Sequence, residues 1–333
     1  FILNGVQPFI SMERHYNYPY EFAHVLGYVG APNENDLQNQ KDDLFRTPGI
    51  KIGKLGIEKI LNRELIGTPG FTRFEVNAAG RAVRTVEFVD GVSGNALKTS
   101  LDLELQKLTY QKLGRNAGSA IAMDIKTGEI LACVSTPSFD TNKFAFGITQ
   151  PEFNELLKNE RKPLINKFLS GQYPPGSVLK PIIALAALEN KIVDQDYTHF
   201  CSGKIELFGQ EFYCWKDGGH GRINLKDAVK KSCDIYFYEV ARLLGVDRLA
   251  ETIRKFDFGQ PTLKDFDEEK KGLVPDTKWK KNVLGKPWLL GETLITGIGQ
   301  GYILATPMQI CKSMAEFANG GYKVNPTFYL DEK

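Results

Sequence analysis

Charge of one sign is scarce in this 333-residue chain: 42 Lys+Arg stand against 40 Asp+Glu, a formal net charge of +2. So even a balance announces neither a polyanion-binding face nor an acidic tail, and nucleic acid is a poor first choice of ligand. Long apolar runs are missing as well. The best stretch, Pro181 to Leu188, is far shorter than the roughly 20 residues a spanning helix needs, so a membrane crossing is not expected. No internal repeat or low-complexity tract appears. The chain opens at Phe1 without Met, a basic segment or a signal-like run, and reads as a fragment of a longer polypeptide. Histidine is limited to four residues. No second ligand type gathers near His24, which is therefore expected to be structural.

With 42% hydrophobic, 25% charged and 11% aromatic residues, the chain has an ordinary globular composition and enough length for a large domain plus a smaller one. Residues 1–92, rich in Gly, Asn and Pro, read as a small irregular α+β module whose main helical run is Gly56 to Leu65. Turn chemistry at Asp90 to Thr99 places the boundary there, leaving 93–333 as the second domain. Leu101, Leu105, Leu108 and Leu113 fit one face of a helix, and Ala120–Asp124 and Ile130–Ser135 around Lys126-Thr127-Gly128-Glu129 fit a β-hairpin. Further helices are expected over Gly176–Glu189, Lys226–Lys231, Ile235–Leu244 (stopped by Gly245) and Met308–Ala318. Strands and helices in non-alternating order favour α+β.

The most informative segment is Tyr173-Pro174-Pro175-Gly176-Ser177-Val178-Leu179-Lys180. It sets a hydroxyl and an amine three residues apart, on one face of an apolar helix. A serine hydroxyl needs a base to become a nucleophile, and a lysine desolvated against an apolar wall can lose its proton and serve as one. The helix start adds free N–H groups suited to an oxyanion. The alternative is a capping Ser177 and a solvated Lys180, although a lysine heading a long apolar run is awkward as plain surface.

These residues resemble the class B penicillin-binding proteins, nearest to the elongation-specific penicillin-binding protein 2 group. Tyr18-Pro19, Ala23 to Tyr28, Gly53 to Lys59, Asn77 to Arg81, Leu101-Asp102 with Leu105-Gln106, Thr127 to Ala132, Ser135 to Asp140, Tyr173 to Lys180, Gly299-Gln300-Gly301 and Thr306 to Gln309 carry the resemblance across nearly the whole chain. It implies a penicillin-binding, serine β-lactamase-like transpeptidase domain, a central antiparallel sheet with helices, on a small N-terminal α+β pedestal. It also places a second motif, Ser232-Cys233-Asp234, on a loop between two helices facing the nucleophile. There Ser232 would relay a proton between Lys180 and the leaving amine, and Asp234 would steady Lys180 or the substrate amide. Helix capping by Ser232 or Asp234 is the alternative. The family's third motif, Lys-Ser/Thr-Gly on an edge strand, is expected downstream of Lys333. Lys126-Thr127-Gly128 and Ser93-Gly94-Asn95 match motif letters only by chance.

Of the five cysteines, Cys133 and Cys311 lie in apolar contexts and read as small core residues. Cys201, Cys214, His220 and Cys233 compose a common structural zinc set. A Cys201–Cys214 disulfide across the hairpin expected at Lys204–Tyr213 competes with that reading, as do free thiols. The resemblance favours zinc, since some relatives carry one near these positions.

The resemblance thus implies a D,D-transpeptidase that cross-links peptidoglycan stem peptides through a Ser177 acyl-enzyme during wall elongation and that β-lactams inhibit, with no cofactor needed for the chemistry. It further implies an anchor preceding Phe1 at the periplasmic face of the bacterial inner membrane. Its partners would be a rod-shape scaffold protein, through the pedestal, and a membrane glycosyltransferase. A division-specific class B transpeptidase, a serine β-lactamase and a non-catalytic sensor of β-lactam or muropeptide are the rival readings.

Overall fold

The computed structural model describes residues 13–39, 43–47, 49–207 and 209–330. The chain divides into two compact units, one of Phe1–Thr99, Leu103–Gly118 and Val134–Leu164, the other of Ser100–Asp102, Ser119–Cys133 and Ile165–Lys333. Helices and strands are mixed in both, as an α+β fold requires.

In the first unit Tyr16 and Glu58 form a buried polar contact beside apolar side chains such as Val29 and Ala145. The Tyr16 hydroxyl accepts from Val29 N at 3.0 Å and donates to Glu58 Oε1 at 3.2 Å, while Arg14 Nε lies 2.8 Å from the same carboxylate. His24 is buried and meets the ring of Phe139 edge-on at 5.2 Å, a packing contact of the structural kind expected from the sequence. The helical run anticipated at Gly56 to Leu65 is two short helices, Gly56–Ile60 and Asn62–Ile66.

A long hairpin, Phe71–Val76 against Ala82–Val89, was not read from the sequence. Its turn is local chemistry: Asn77 Oδ1 accepts from Ala79 N and Arg81 N, both at 3.0 Å, and Gly80 supplies φ 75°. Both faces are largely exposed, so the short alternations Arg73-Phe74-Glu75-Val76 and Thr85-Val86-Glu87-Phe88 do not mark a half-buried strand.

In the second unit the helix Lys180–Glu189 is the centre of the core. Its Ile182, Ile183, Ala186 and Ala187 pack among Ile235, Phe237 and Ala241 of Asp234–Leu244 and Leu249 and Ile253 of Val246–Lys255. Burying each large aliphatic side chain is worth about 1.5–3 kcal/mol. Small residues set how closely elements approach: a Cβ on Gly297 would come within 2.4 Å of the Ala241 Cβ. Two strand pairs fold over this helical base, Thr198–Cys201 with Gly221–Asn224 and Lys204–Leu207 with Gln210–Tyr213, both antiparallel. The strands Gly118–Met123 and Ile130–Thr136 pair around the expected turn.

The helix Gln150–Lys158 of the first unit starts with a capping box, and Lys143 Nζ reaches Glu152 Oε1 at 2.6 Å. The Lys143 ammonium and the Thr149 hydroxyl hold the Glu152 carboxyl down to about 2, from an ordinary value of 4.5. A depressed carboxyl stabilises the fold above its unfolded pKa and loses that contribution as pH falls through the folded one. The advantage of the parent over Glu152→Gln in urea unfolding is thus expected to be complete above pH 5 or so and to vanish toward pH 2. A difference that stays constant with pH would contradict it.

Candidate active site

Pro174 and Pro175 stiffen the approach to Ser177, and Gly176 turns the chain with φ 61°, a conformation most side chains resist. The chain then makes a 3-10 turn over Gly176–Leu179, and the α-helix proper begins at Lys180. The single α-helix expected from Gly176 is therefore wound more tightly around Ser177. A second segment backs this turn. Gly176 N donates to Gly299 O at 2.8 Å, and Tyr173 and Ala305 exchange backbone hydrogen bonds of 2.9 Å. Gly299, at φ 73°, has room for no side chain, because a Cβ there would lie 2.1 Å from Gly176 O.

Ser232 sits between the helices Leu225–Lys230 and Asp234–Leu244 with φ 51°, in the left-handed region. Such a backbone costs on the order of 1–3 kcal/mol in a residue other than glycine and persists only where its surroundings hold it. Lys180 supplies much of that hold. Its side chain is 1% exposed, and its Nζ donates to Ser232 O at 3.0 Å, Ser232 Oγ at 2.9 Å and Asp234 Oδ1 at 2.7 Å. The three donors of an ammonium thus have three oxygens. The Phe237 ring centroid lies 5.6 Å from the same nitrogen.

The structure brings all four motif residues together, in an order that spacing alone does not give. Ser232 Oγ donates to Ser177 Oγ at 2.8 Å, so the described hydrogen bonds lead from Lys180 to Ser177 through Ser232. A solvated Lys180 is not what forms. Nor are the capping alternatives: Cys233 is the N-cap of Asp234–Leu244 without a side-chain cap bond, and Asp234 is engaged elsewhere. Its Oδ1 faces Lys180 and its Oδ2 accepts from Trp215 N at 3.0 Å.

One side of this turn is a cluster of Cys201, Cys214, His220 and Cys233, whose ligand atoms all lie within 4.8 Å of one another. The strand pairs assemble it. Cys201 lies opposite Gly221 and so beside His220, and Cys214 N bonds Gly203 O at 2.8 Å. His220 Nδ1 is 3.6 Å from Cys201 Sγ and 3.5 Å from Cys214 Sγ. All five cysteines are free thiols, so the Cys201–Cys214 disulfide is not formed. Burial pushes the Cys233 thiol up, and burial followed by the nearby Lys216 and Lys231 charges pushes the His220 imidazole down. Three thiols and one imidazole at this separation fit a tetrahedral zinc, whose bonds of about 2.0–2.3 Å hold ligands less than about 4 Å apart after a small contraction.

The chance motifs are explained locally. Asp124 Oδ1 accepts from Lys126 N and Thr127 N at 2.7 and 3.0 Å and Gly128 has φ 80°, so Lys126-Thr127-Gly128 is a turn. Gly94 packs on the backbone of Leu65, where a Cβ would meet Leu65 O at 2.2 Å. What the sequence reading passed over is Trp215. No motif includes it, but its position directly after Cys214 was a usable signal.

Ser177, on the 3-10 turn that leads into a buried helix, is thus tied to the buried Lys180 through a second serine, an arrangement suited to a serine acyl-transfer fold. The profile of the penicillin binding protein transpeptidase domain matches residues 118–332 and that of the penicillin-binding protein dimerisation domain matches residues 2–99. The chain belongs to the penicillin-binding protein transpeptidase family. It is 40% identical to the peptidoglycan D,D-transpeptidase MrdA of Acinetobacter baumannii over 97% of this chain and 48% of the relative. The MrdA of Escherichia coli is 38% identical over 95% of this chain and 51% of its own length. The chain thus spans about half the length of these curated relatives. Among solved structures, penicillin-binding protein 2 of Helicobacter pylori in complex with MreC superposes with a TM-score of 0.87 at 36% identity, covering 96% of this chain and 60% of that one. Pseudomonas aeruginosa PBP2 in complex with WCK 5153 gives 0.85 at 36% identity, covering 97% and 68%.

The contact between Gly299 and Gly176 makes a sharp prediction. Gly299→Ala is expected to lower stability by about 1–3 kcal/mol through forced backbone movement. Gly218→Ala, where a Cβ meets nothing within 4 Å, should be near neutral. Thermal melting of the two variants checks this, and equal melting temperatures would contradict it.

Proposed function

We propose that this chain carries the acyl-transfer centre of a peptidoglycan D,D-transpeptidase active in wall elongation. The observation that carries the reading is the hydrogen-bonded path from buried Lys180 through Ser232 Oγ to Ser177 Oγ. Ser177 attacks the penultimate D-Ala carbonyl of a stem peptide. In the reacting form Lys180 is the free amine and both hydroxyl hydrogens turn toward it, so that the Ser177 proton passes to Ser232 and the Ser232 proton to Lys180. The same path returns the proton to the departing D-Ala amine, and an amine of a neighbouring stem then takes the acyl group. Asp234 Oδ1, 2.7 Å from Lys180 Nζ, keeps the amine aimed at Ser232. N–H groups of the first turn after Gly176 lack intrahelical partners and suit the oxyanion. A β-lactam acylates Ser177 by the same attack.

Residues 1–92 are assigned to a pedestal that binds partners and 93–333 to the transpeptidase domain, a division supported by the two profile matches. The partners of this reading are a rod-shape scaffold protein and a membrane glycosyltransferase, and its site of action is the periplasmic face of the inner membrane; the complex of Helicobacter pylori PBP2 with MreC supports a protein partner. Among the described residues no helix is long and apolar enough to cross a membrane.

Labelling with a fluorescent penicillin followed by peptide mass spectrometry is expected to place the adduct on Ser177. Lys180→Ala and Ser232→Ala should slow labelling by about 100-fold or more. An adduct elsewhere, or parent-like labelling of Lys180→Ala, would refute the assignment. Rapid turnover of a chromogenic cephalosporin would favour a β-lactamase instead.

A structural zinc held by Cys201, Cys214, His220 and Cys233 completes the reading. The ion would offset the charge of thiolates that burial alone disfavours, and it takes no part in acyl transfer. Elemental analysis should find about one zinc per chain and its loss in Cys214→Ser. Metal-free parent protein would overturn this.

A further inference from the structure

We infer that Trp215 is a positioning residue for acylation, a strap that holds the Ser232 turn in its reactive shape; the inference rests on the acyl-transfer reading of Ser177. Trp215 is bonded to the turn at three points. Its indole Nε1 donates to Lys231 O at 3.0 Å and to Ser232 O at 3.1 Å, and its backbone N donates to Asp234 Oδ2 at 3.0 Å. The two carbonyls are those on either side of the Ser232 N–Cα bond whose φ is 51°, so the indole bridges the left-handed twist itself. Ser232 O is also an acceptor for Lys180 Nζ, and Asp234 gives one oxygen to Lys180 and the other to Trp215. Trp215 thus shares two of its three acceptor residues, Ser232 and Asp234, with the lysine.

Trp215 is 64% exposed, which is unusual for a tryptophan whose role is core packing. Its energetic value to the fold therefore lies in hydrogen bonds more than in buried area. What fixes the ring is its neighbour Cys214 in the chain and an edge contact of 5.4 Å with the His220 ring. The strap consequently joins the cysteine–histidine cluster to the residues that move the proton. Without the indole N–H, the twist at Ser232 loses a support and Ser232 Oγ spends less time aimed at Ser177 Oγ. The effect falls on the acylation step, not on ligand affinity.

Trp215→Phe keeps an aromatic ring and removes the donor. In the intact protein it is expected to slow the acylation rate constant for a chromogenic β-lactam about tenfold while half-saturation and melting temperature stay at the parent values. Hydrogen exchange of the peptide covering Val229 to Tyr236 should quicken about two- to tenfold, a readout that needs no activity. Parent-like acylation and exchange, or a loss confined to half-saturation, would overturn the inference. If Trp215→Phe melts early, replacing Trp215 by benzothienylalanine, which has the indole shape with sulfur in place of N–H, decides by the same criteria. Failure of the parent to be labelled on Ser177 would refute the acyl-transfer reading alone, and the exchange result would still judge the strap.

Discussion

A lysine ammonium buried at 1% exposure must find its oxygens inside the protein, and the second unit is organised around meeting that demand. Stripping such a group of water without replacement costs far more than any single packing contact returns. Lys180 is supplied from one short segment, Ser232 to Asp234, which gives it a carbonyl, a hydroxyl and a carboxylate. A turn of ordinary backbone would point these groups apart. The left-handed Ser232 and the immediate start of a helix at Asp234 point them together. The arrangement is costly locally and is held from every side: by the lysine, by the core beneath the helix Lys180–Glu189, and by the glycine contact between residues 176 and 299.

Much of this was legible in the sequence because the relevant signals are local. The apolar run after Lys180, the Pro-Pro-Gly entry and the Gly245 stop each follow from short-range chemistry, and the helices Asp234–Leu244 and Pro307–Ala318 lie within a residue of where periodicity places them. The four metal-type donors were readable as a set by residue type, while their meeting depends on a strand register that puts Cys201 opposite Gly221. The relay through Ser232 was harder. An i, i+3 pair suggests direct contact between Ser177 and Lys180, whereas a 3-10 turn at Ser177 and a distant loop decide how the two are connected.

The long hairpin from Phe71 to Val89 escaped for the opposite reason. Its strands are exposed on both faces and alternate over only four residues each, Arg73–Val76 and Thr85–Phe88, and cross-strand pairs such as Arg73 with Glu87, 2.7 Å apart, look in sequence like scattered surface charge. Trp215 escaped because its bonds go to backbone carbonyls. A side chain that recognises main chain places no requirement on the identity of its partner, and therefore leaves no pairing for a reader of residues to notice.

Adjacency in the chain has a consequence for how the protein can change length. Cys214 abuts Trp215, and Cys233 separates Ser232 from Asp234, so cluster and proton path are interleaved with no spacer between them. One inserted residue at either junction would rotate donors of one set out of place while leaving the other set nominally complete. The far end of the hairpin near Gly209, where even a Cβ meets no atom within 4 Å, is thus where a change of length is expected to be tolerated. The strand pair between Cys201 and Cys214 can lengthen or shorten at that end as a stalk does, and the register at the base stays as it is.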